Sequence, residues 1–261
     1  MLDKENTFVK ILLSVHIMKS KKYIRDRFKK ITKYLLLFRE TKQPENLHQY
    51  RVEIKKINAF HLFLEYCDKD FKGTKKFKQC HSLFHQSGKI RDFVVMHNLM
   101  KKYNIDFIAP TSVSDTKKHL KKIRKFCDDI PSYLNTLKNT EEELLKKRSF
   151  IHKKELHHYL KKRKKKIGEL LHSSSGKHLH DARKAGKDIL YLSKLDKGYK
   201  AETIQYFDKL QTAIGNWHDK QVLITTLDEI HNPRNNDILK KLKLERKIDL
   251  QTIQKLKQSG Q

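Results

Sequence analysis

The pattern His-x-x-Arg-x-x-x-Lys occurs at His48, Arg51 and Lys55 and returns 132 residues later at His180, Arg183 and Lys187, which predicts two related halves. On a helix, Arg51 lies about 60° to one side of His48 and Lys55 about 20° from it, so the three groups share a face. Ile54, Ile57, Phe60 and Leu64 fall on the opposite face, and Ala185, Ile189 and Leu192 repeat that arrangement in the second copy. The apolar side can enter a core while the His/Arg/Lys side points away from it. A single charged stripe is usually only a solvated face. Here a further segment keeps the register: Lys22, Lys29 and Lys33, opposite Ile24, Ile31, Leu35 and Phe38, map at the same offset onto Lys154, Lys161 and Lys165. Shared ancestry explains matched apolar rows, because each half needs a core. Matched exposed lysines point instead to a shared anionic ligand.

Composition bounds that ligand. The chain has 59 Lys+Arg against 30 Asp+Glu, a formal net charge of +29, and repels itself unless a polyanion accompanies it. Only 8 Gly and 4 Pro in 261 residues leave little room for a loop-rich fold, so long helices are expected. Cys67, Cys80 and Cys127 are odd in number and form no C-x-x-C pair, which favours a reducing cytoplasm. The apolar segment from Phe8 to Met18 carries Lys10 and His16, unlike the uninterrupted core of a signal peptide. No other stretch is long enough to span a bilayer, and no membrane partner is expected.

Breakers near Lys42-Gln43-Pro44, Gly73-Thr74, Asn104 to Thr111, Asn139-Thr140, Ser173 to Gly176, Asp196 to Tyr199 and Asn232 to Asn236 divide the helical pattern into eight helices, four per half. Thr140-Glu141-Glu142-Glu143 reads as a capping box opening the fifth helix, which sets the halves at 1–138 and 139–261. Within the basic run Lys161 to Lys166, Lys161 and Lys165 share a face while Arg163 projects near the apolar side and is expected to snorkel.

Another echo has a shift of 127 residues: His85-Gln86-Ser87-Gly88-Lys89-Ile90-Arg91-Asp92 stands against Thr212-Ala213-Ile214-Gly215-Asn216-Trp217-His218-Asp219. Glycine inside a helix costs about 1 kcal/mol relative to alanine, so Gly88 and Gly215 suggest close helix contact or close approach to a ligand, packing being the favoured cause. Asp92 and Asp219, on otherwise basic helices, are expected to anchor neighbouring Arg or Lys side chains; an ordinary surface ion pair is the alternative.

These two motifs, recurring in order in both halves, resemble the CHAD family, the conserved histidine α-helical domain, over nearly the whole chain. The resemblance implies an all-α fold of two four-helix bundles related by a pseudo-twofold axis, with a basic central groove or pore that binds inorganic polyphosphate. It carries the ligand-binding role onto His48, Arg51, Lys55, His180, Arg183 and Lys187. The register argument adds Lys22, Lys29, Lys33, Lys154, Lys161 and Lys165. Polyphosphate has no bases to read and gains affinity chiefly by counterion release, for which a spaced row of cations suffices. Histidines in contact with it would favour binding at mildly acidic pH.

Enzyme chemistry finds less support. His218-Asp219 is similar to the central dyad of metal-dependent HD phosphohydrolases, but the matching place in the first half is Arg91-Asp92, and arginine does not ligate a cation. His81 and His85 lie at i, i+4 with no acidic pair nearby, Gly186-Lys187 completes no phosphate-cradling loop, and no Ser-His-Asp arrangement can be placed. The reading is therefore a non-enzymatic polyphosphate-binding protein, cytoplasmic and associated with polyphosphate granules, with no catalytic residue, metal or cofactor. Another polyanion is the neighbouring reading, nonspecific nucleic acid the alternative partner, and a metal-dependent phosphohydrolase the third class. Single-strand readers stack bases on aromatic residues, whereas Tyr23, Phe28, Tyr34 and Trp217 fall on or near apolar rows.

Overall fold

Apolar residues spaced three and four apart, with few Gly or Pro between them, wind nearly all of the described chain into helix. The computed structural model describes residues 2–71, 77–105, 113–146, 153–173, 175–195, 199–230 and 232–259, with side chains except at 2–19, 78–79 and 113–115. Its α-helices are α1 (Leu2–Thr41), α2 (Pro44–Cys67), α3 (Lys78–Lys102), α4 (Val113–Lys146), α5 (Lys153–Leu170), α6 (Gly176–Leu192), α7 (Ala201–Ile230) and α8 (Asn236–Ser259). Short 3-10 turns at Ser193–Leu195 and Pro233–Asn235 follow α6 and precede α8. Among the described residues there are eight α-helices and no strand, and the fold is all-α. No described helix is long and apolar enough to cross a membrane.

The chain divides into two compact units, one of Met1–Val95 with Phe107–Leu156, the other of Met96–Asp106 with His157–Gln261. In the first, α1 buries Ile24, Ile31, Leu35 and Phe38, the row expected from the sequence, together with Phe28, and α2 buries Leu47, Tyr50, Ile54, Ile57 and Phe60. Phe126 of α4 closes this core, edge-on to Phe38 with ring centroids 5.7 Å apart. A buried carboxylate also ties α1 to α2: Glu53, 3% exposed, accepts from Arg27 at 2.8 Å and from Lys56 at 2.6 Å. Removing either cation would leave that charge less well compensated, which is the costly direction for a buried pair.

The second unit packs α6 on α7 through Leu179, Ala182 and Ile189 with Phe207, Leu210 and Ile214 buried on the facing helices. Met100 and Ile105, at and beyond the end of α3, join Leu223, Ile224, Leu227 and Leu242 in another core cluster. Polar links reinforce α8: Lys220 donates to Asp249 at 2.6 Å, and Tyr103 donates to Glu245 at 2.7 Å.

One sequence expectation is overturned. Helix α4 runs unbroken past Asn139-Thr140, so Thr140 opens no helix. Its hydroxyl donates to the Thr136 carbonyl at 2.8 Å, the i−4 back-bond by which threonine satisfies itself inside a helix. Leu137 and Leu144 are buried on either side, and this continuous apolar face outweighs the local capping signal. The breaks expected at Lys42-Gln43-Pro44 and Asn232 to Asn236 occur, and α6 begins at Gly176 behind an N-cap at Ser175. Gly73-Thr74, most of Asn104 to Thr111 and most of Asp196 to Tyr199 lie outside the described residues.

His61 of α2 is the most unusual polar group in the first core. It is 1% exposed, set edge-on to Phe77 at 4.7 Å and to Phe71 at 6.0 Å, and neither ring nitrogen has a hydrogen-bond partner among the described residues. Burial pushes its pKa down to about 4, reinforced by His81 and opposed by Glu65. Because this folded-state value lies below the unfolded value of 6.5, the unfolded chain binds more protons as pH falls. Stability should therefore be lost progressively from pH 6.5 down to about 4, by about 3 kcal/mol from this group. Denaturant titrations across that range should show a smaller acid-side loss in His61→Phe than in the parent; equal losses would refute the assignment.

Candidate functional site

Helix α2 begins with Pro44 in its first turn, where a missing N–H costs nothing, and carries the first histidine motif one turn later. His48 meets α3 through Arg91, whose Nε donates to His48 Nδ1 at 3.2 Å. That bond makes Nδ1 an acceptor and leaves the ring proton of the neutral form on Nε2. Arg51 is drawn to the same helix. Its Nη1 donates to the Phe84 carbonyl at 2.6 Å and to Ser87 Oγ at 2.9 Å, and its guanidinium lies 4.1 Å from the centre of the Phe84 ring. Ser87, fully buried, donates in turn to Phe84 O at 2.7 Å. Gly88 provides the space: a Cβ there would come within 3.1 Å of Arg51 Nη1. Burial lowers the Arg51 pKa, with the Asp92 carboxylate opposing the shift.

The second unit repeats this arrangement with different chemistry. Ser175 caps α6 by accepting from the His178 N–H at 3.3 Å, which starts the helix one turn before His180. His180 faces His218 of α7, with ring centroids 5.7 Å apart and planes inclined by 44°. Burial lowers the His180 pKa, followed by the charges of Lys184 and His218, while Asp181 opposes them and Arg183 adds to them. Arg183 lies on α7 at Gly215, where a Cβ would come within 2.9 Å of Nη2. The glycines expected to mark helix packing thus mark a narrower contact, a guanidinium on helix backbone. Residues Phe84 and Ser87, which hold Arg51, correspond at 127 residues to Gln211 and Ile214.

The six lysines taken from the register, Lys22, Lys29 and Lys33 on α1 and Lys154, Lys161 and Lys165 on α5, are all exposed. Lys55 and Lys187 are half-buried, as are His48, Arg51 and Arg183, and His180 is exposed. Arg163 separates from its basic neighbours as expected: it is half-buried, donates to the Tyr159 hydroxyl at 2.9 Å and pairs with Asp188 at 3.3 Å. Burial pushes Asp188 up to about 6, with Arg163 opposing. Asp219 sits half-buried on α7 and Asp92 exposed on α3. Trp217 packs against the start of α6, where a Cβ on Gly176 would come within 3.2 Å of its ring.

Sequence reasoning missed the partners of the motif: Arg91 for His48, His218 for His180, and the Phe84/Ser87 clamp on Arg51. The 127-residue echo aligned Arg91 with His218, and that alignment held the signal. Among the described residues no three His, Cys, Asp or Glu side chains gather as metal ligands.

The family model of the CHAD domain matches residues 22–228, from the first of the three register lysines of α1 to near the end of α7. The chain belongs to the CHAD family. A crystal structure of the CHAD domain from the plant Ricinus communis superposes with a TM-score of 0.73 at 14% sequence identity, covering 93% of this chain and 91% of that one. At that identity the likeness establishes the CHAD fold. No curated protein matches the sequence. Helix α8 lies beyond the CHAD-domain match and is anchored by Lys220 and Tyr103 as described above.

Holding α2 to α3 is thus a measurable role for Arg51 in this CHAD domain. Lysine cannot donate to Phe84 O and Ser87 Oγ together while stacking on Phe84, so Arg51→Lys should cost about 1–3 kcal/mol of stability with no polyanion present. Lys29→Gln, on an exposed face, should change it by less than about 0.5 kcal/mol. Equal stabilities by chemical denaturation would show that the clamp does not hold the helices together.

Proposed function

We propose that this chain binds inorganic polyphosphate, without catalysing its turnover, through the basic faces that its two repeats share. The observation that carries the reading is that the same three positions of the leading repeat helix, Lys22, Lys29 and Lys33 or Lys154, Lys161 and Lys165, are lysine and exposed in both repeats. A row of point charges suits a flexible, uniform polyanion. Lysine lacks the planar fork of arginine, so it confers charge without demanding bidentate geometry. His48, His180, Lys55 and Lys187 complete the faces, while Arg51 and Arg183 fix the angle at which each histidine helix meets its neighbour. Most of the affinity then comes from counterion release and weakens steeply with salt.

Nucleic acid is the second reading, and the aromatic residues argue against a base-stacking mode. Phe28 is buried, Tyr23 packs on Phe60 at 5.7 Å, and Trp217 rests on Gly176. The exposed large hydrophobics among the described residues are Leu36, Leu120, Val222, Leu244 and Ile248, none of them aromatic. A cytoplasmic location with association to polyphosphate granules belongs to the same proposal, as does the absence of a catalytic role.

Competition between long-chain polyphosphate and single-stranded RNA at physiological salt should favour polyphosphate at equal phosphate concentration. Lys55→Glu and Lys187→Glu should weaken polyphosphate binding about tenfold or more, at about 1.4 kcal/mol per tenfold, and Lys257→Glu on α8 much less. Equal losses at the three positions would reduce recognition to net charge, and preference for RNA would replace the ligand.

A further inference from the structure

The repeats place different partners on their motif histidines. In the first unit His48 accepts from Arg91, whose charge does not change at any physiological pH. In the second, the equivalent place holds His218, 5.7 Å from His180 between ring centroids. We infer that the second unit is a proton-gated anion site and the first a constitutive one, with His218, paired to His180, as the residue that makes them differ. The inference rests on the proposed polyanion binding and adds how that binding is regulated.

Burial, and then the charges of Lys184, His218 and Arg183, disfavour the charged form of His180 while Asp181 favours it, so the unliganded His180 resists taking up a proton. A phosphate chain laid along this face reverses the balance, because each nonbridging oxygen stabilises an imidazolium and accepts its N–H. Binding then draws protons onto the pair, and by reciprocity acidification tightens binding. No comparable change is available where Arg91 meets His48: the arginine is already charged, and the Nδ1 that would take the proton is occupied as an acceptor. Histidine titrates within the physiological range and arginine does not, so one substitution between repeats divides a duplicated site into two pH responses.

Isothermal titration of the full chain with long-chain sodium polyphosphate, in buffers of different ionisation enthalpy, reads both affinity and proton uptake. Wild-type affinity should rise about tenfold between about pH 8 and about pH 5.5 for each histidine whose pKa rises by one unit on binding, with net protons taken up. His218→Arg should flatten the profile, raise affinity at the alkaline end and reduce proton uptake. Arg91→His should steepen it, and His48→Gln should leave the wild-type slope unchanged. A His218→Arg variant that binds polyphosphate with the wild-type slope and proton uptake would overturn the inference while leaving the proposed ligand intact. A wild type that binds no polyphosphate at any pH would overturn the ligand reading; NMR titration of His180 and His218 with inorganic triphosphate would then decide the gate, and unchanged histidine pKa values would overturn it too.

Discussion

A guanidinium laid on a glycine of the following helix sets the geometry of each repeat. Arg51 meets Gly88 and Arg183 meets Gly215 so closely that a methyl group at either glycine would fall about 3 Å from a guanidinium nitrogen. Fixing that contact fixes the rotation of the histidine helix, and with it the groups that face His48 and His180. Burial makes the contact demanding, because a half-buried cation must keep its hydrogen bonds and its opposing charge. In the first unit Phe84, Ser87 and Asp92 supply these.

From that constraint follows a division of labour among the basic residues. The arginines nearest the histidines serve the architecture of their own units, and Arg27 and Arg163 likewise pair with Glu53 and Asp188. Exposed charge is left largely to lysine. This suits the proposed polyanion, which would be recognised by its charge density rather than by the shape of any one group, and a solvated lysine can follow a mobile chain at little cost in structure.

Much of this was legible in the sequence. The buried rows Ile24, Ile31, Leu35, Phe38 of α1 and Ile54, Ile57, Phe60, Leu64 of α2 follow directly from 3.6-residue periodicity, which is strong over such long helices, whereas buried Glu53 and His61 do not. The exposed lysines follow from the same wheel. Thr140 shows where local motifs mislead: a capping pattern is outvoted by an apolar face that continues through Leu144, a decision made by packing and invisible to a four-residue window. The partners of the motif were not legible because helices α2 and α3, or α6 and α7, meet side by side at separations of about thirty to forty residues in sequence. Their pairing depends on helix rotation, which periodicity leaves undetermined. The glycines at 88 and 215 were visible as an anomaly, yet only the positions of the arginine side chains explain why nothing larger fits.

The repeated lysine faces, rather than net charge, are proposed to carry polyanion recognition. The most direct measurement is the salt dependence of polyphosphate binding for two variants of equal net charge, one with Lys29, Lys33, Lys161 and Lys165 changed to glutamine, the other with Lys240, Lys241, Lys247 and Lys255 of α8 changed likewise. The slope of log K against log salt should fall by about 0.7 to 0.9 for each phosphate that the first variant no longer neutralises, and stay near the wild-type value in the second. Identical slopes in the two variants would contradict the account.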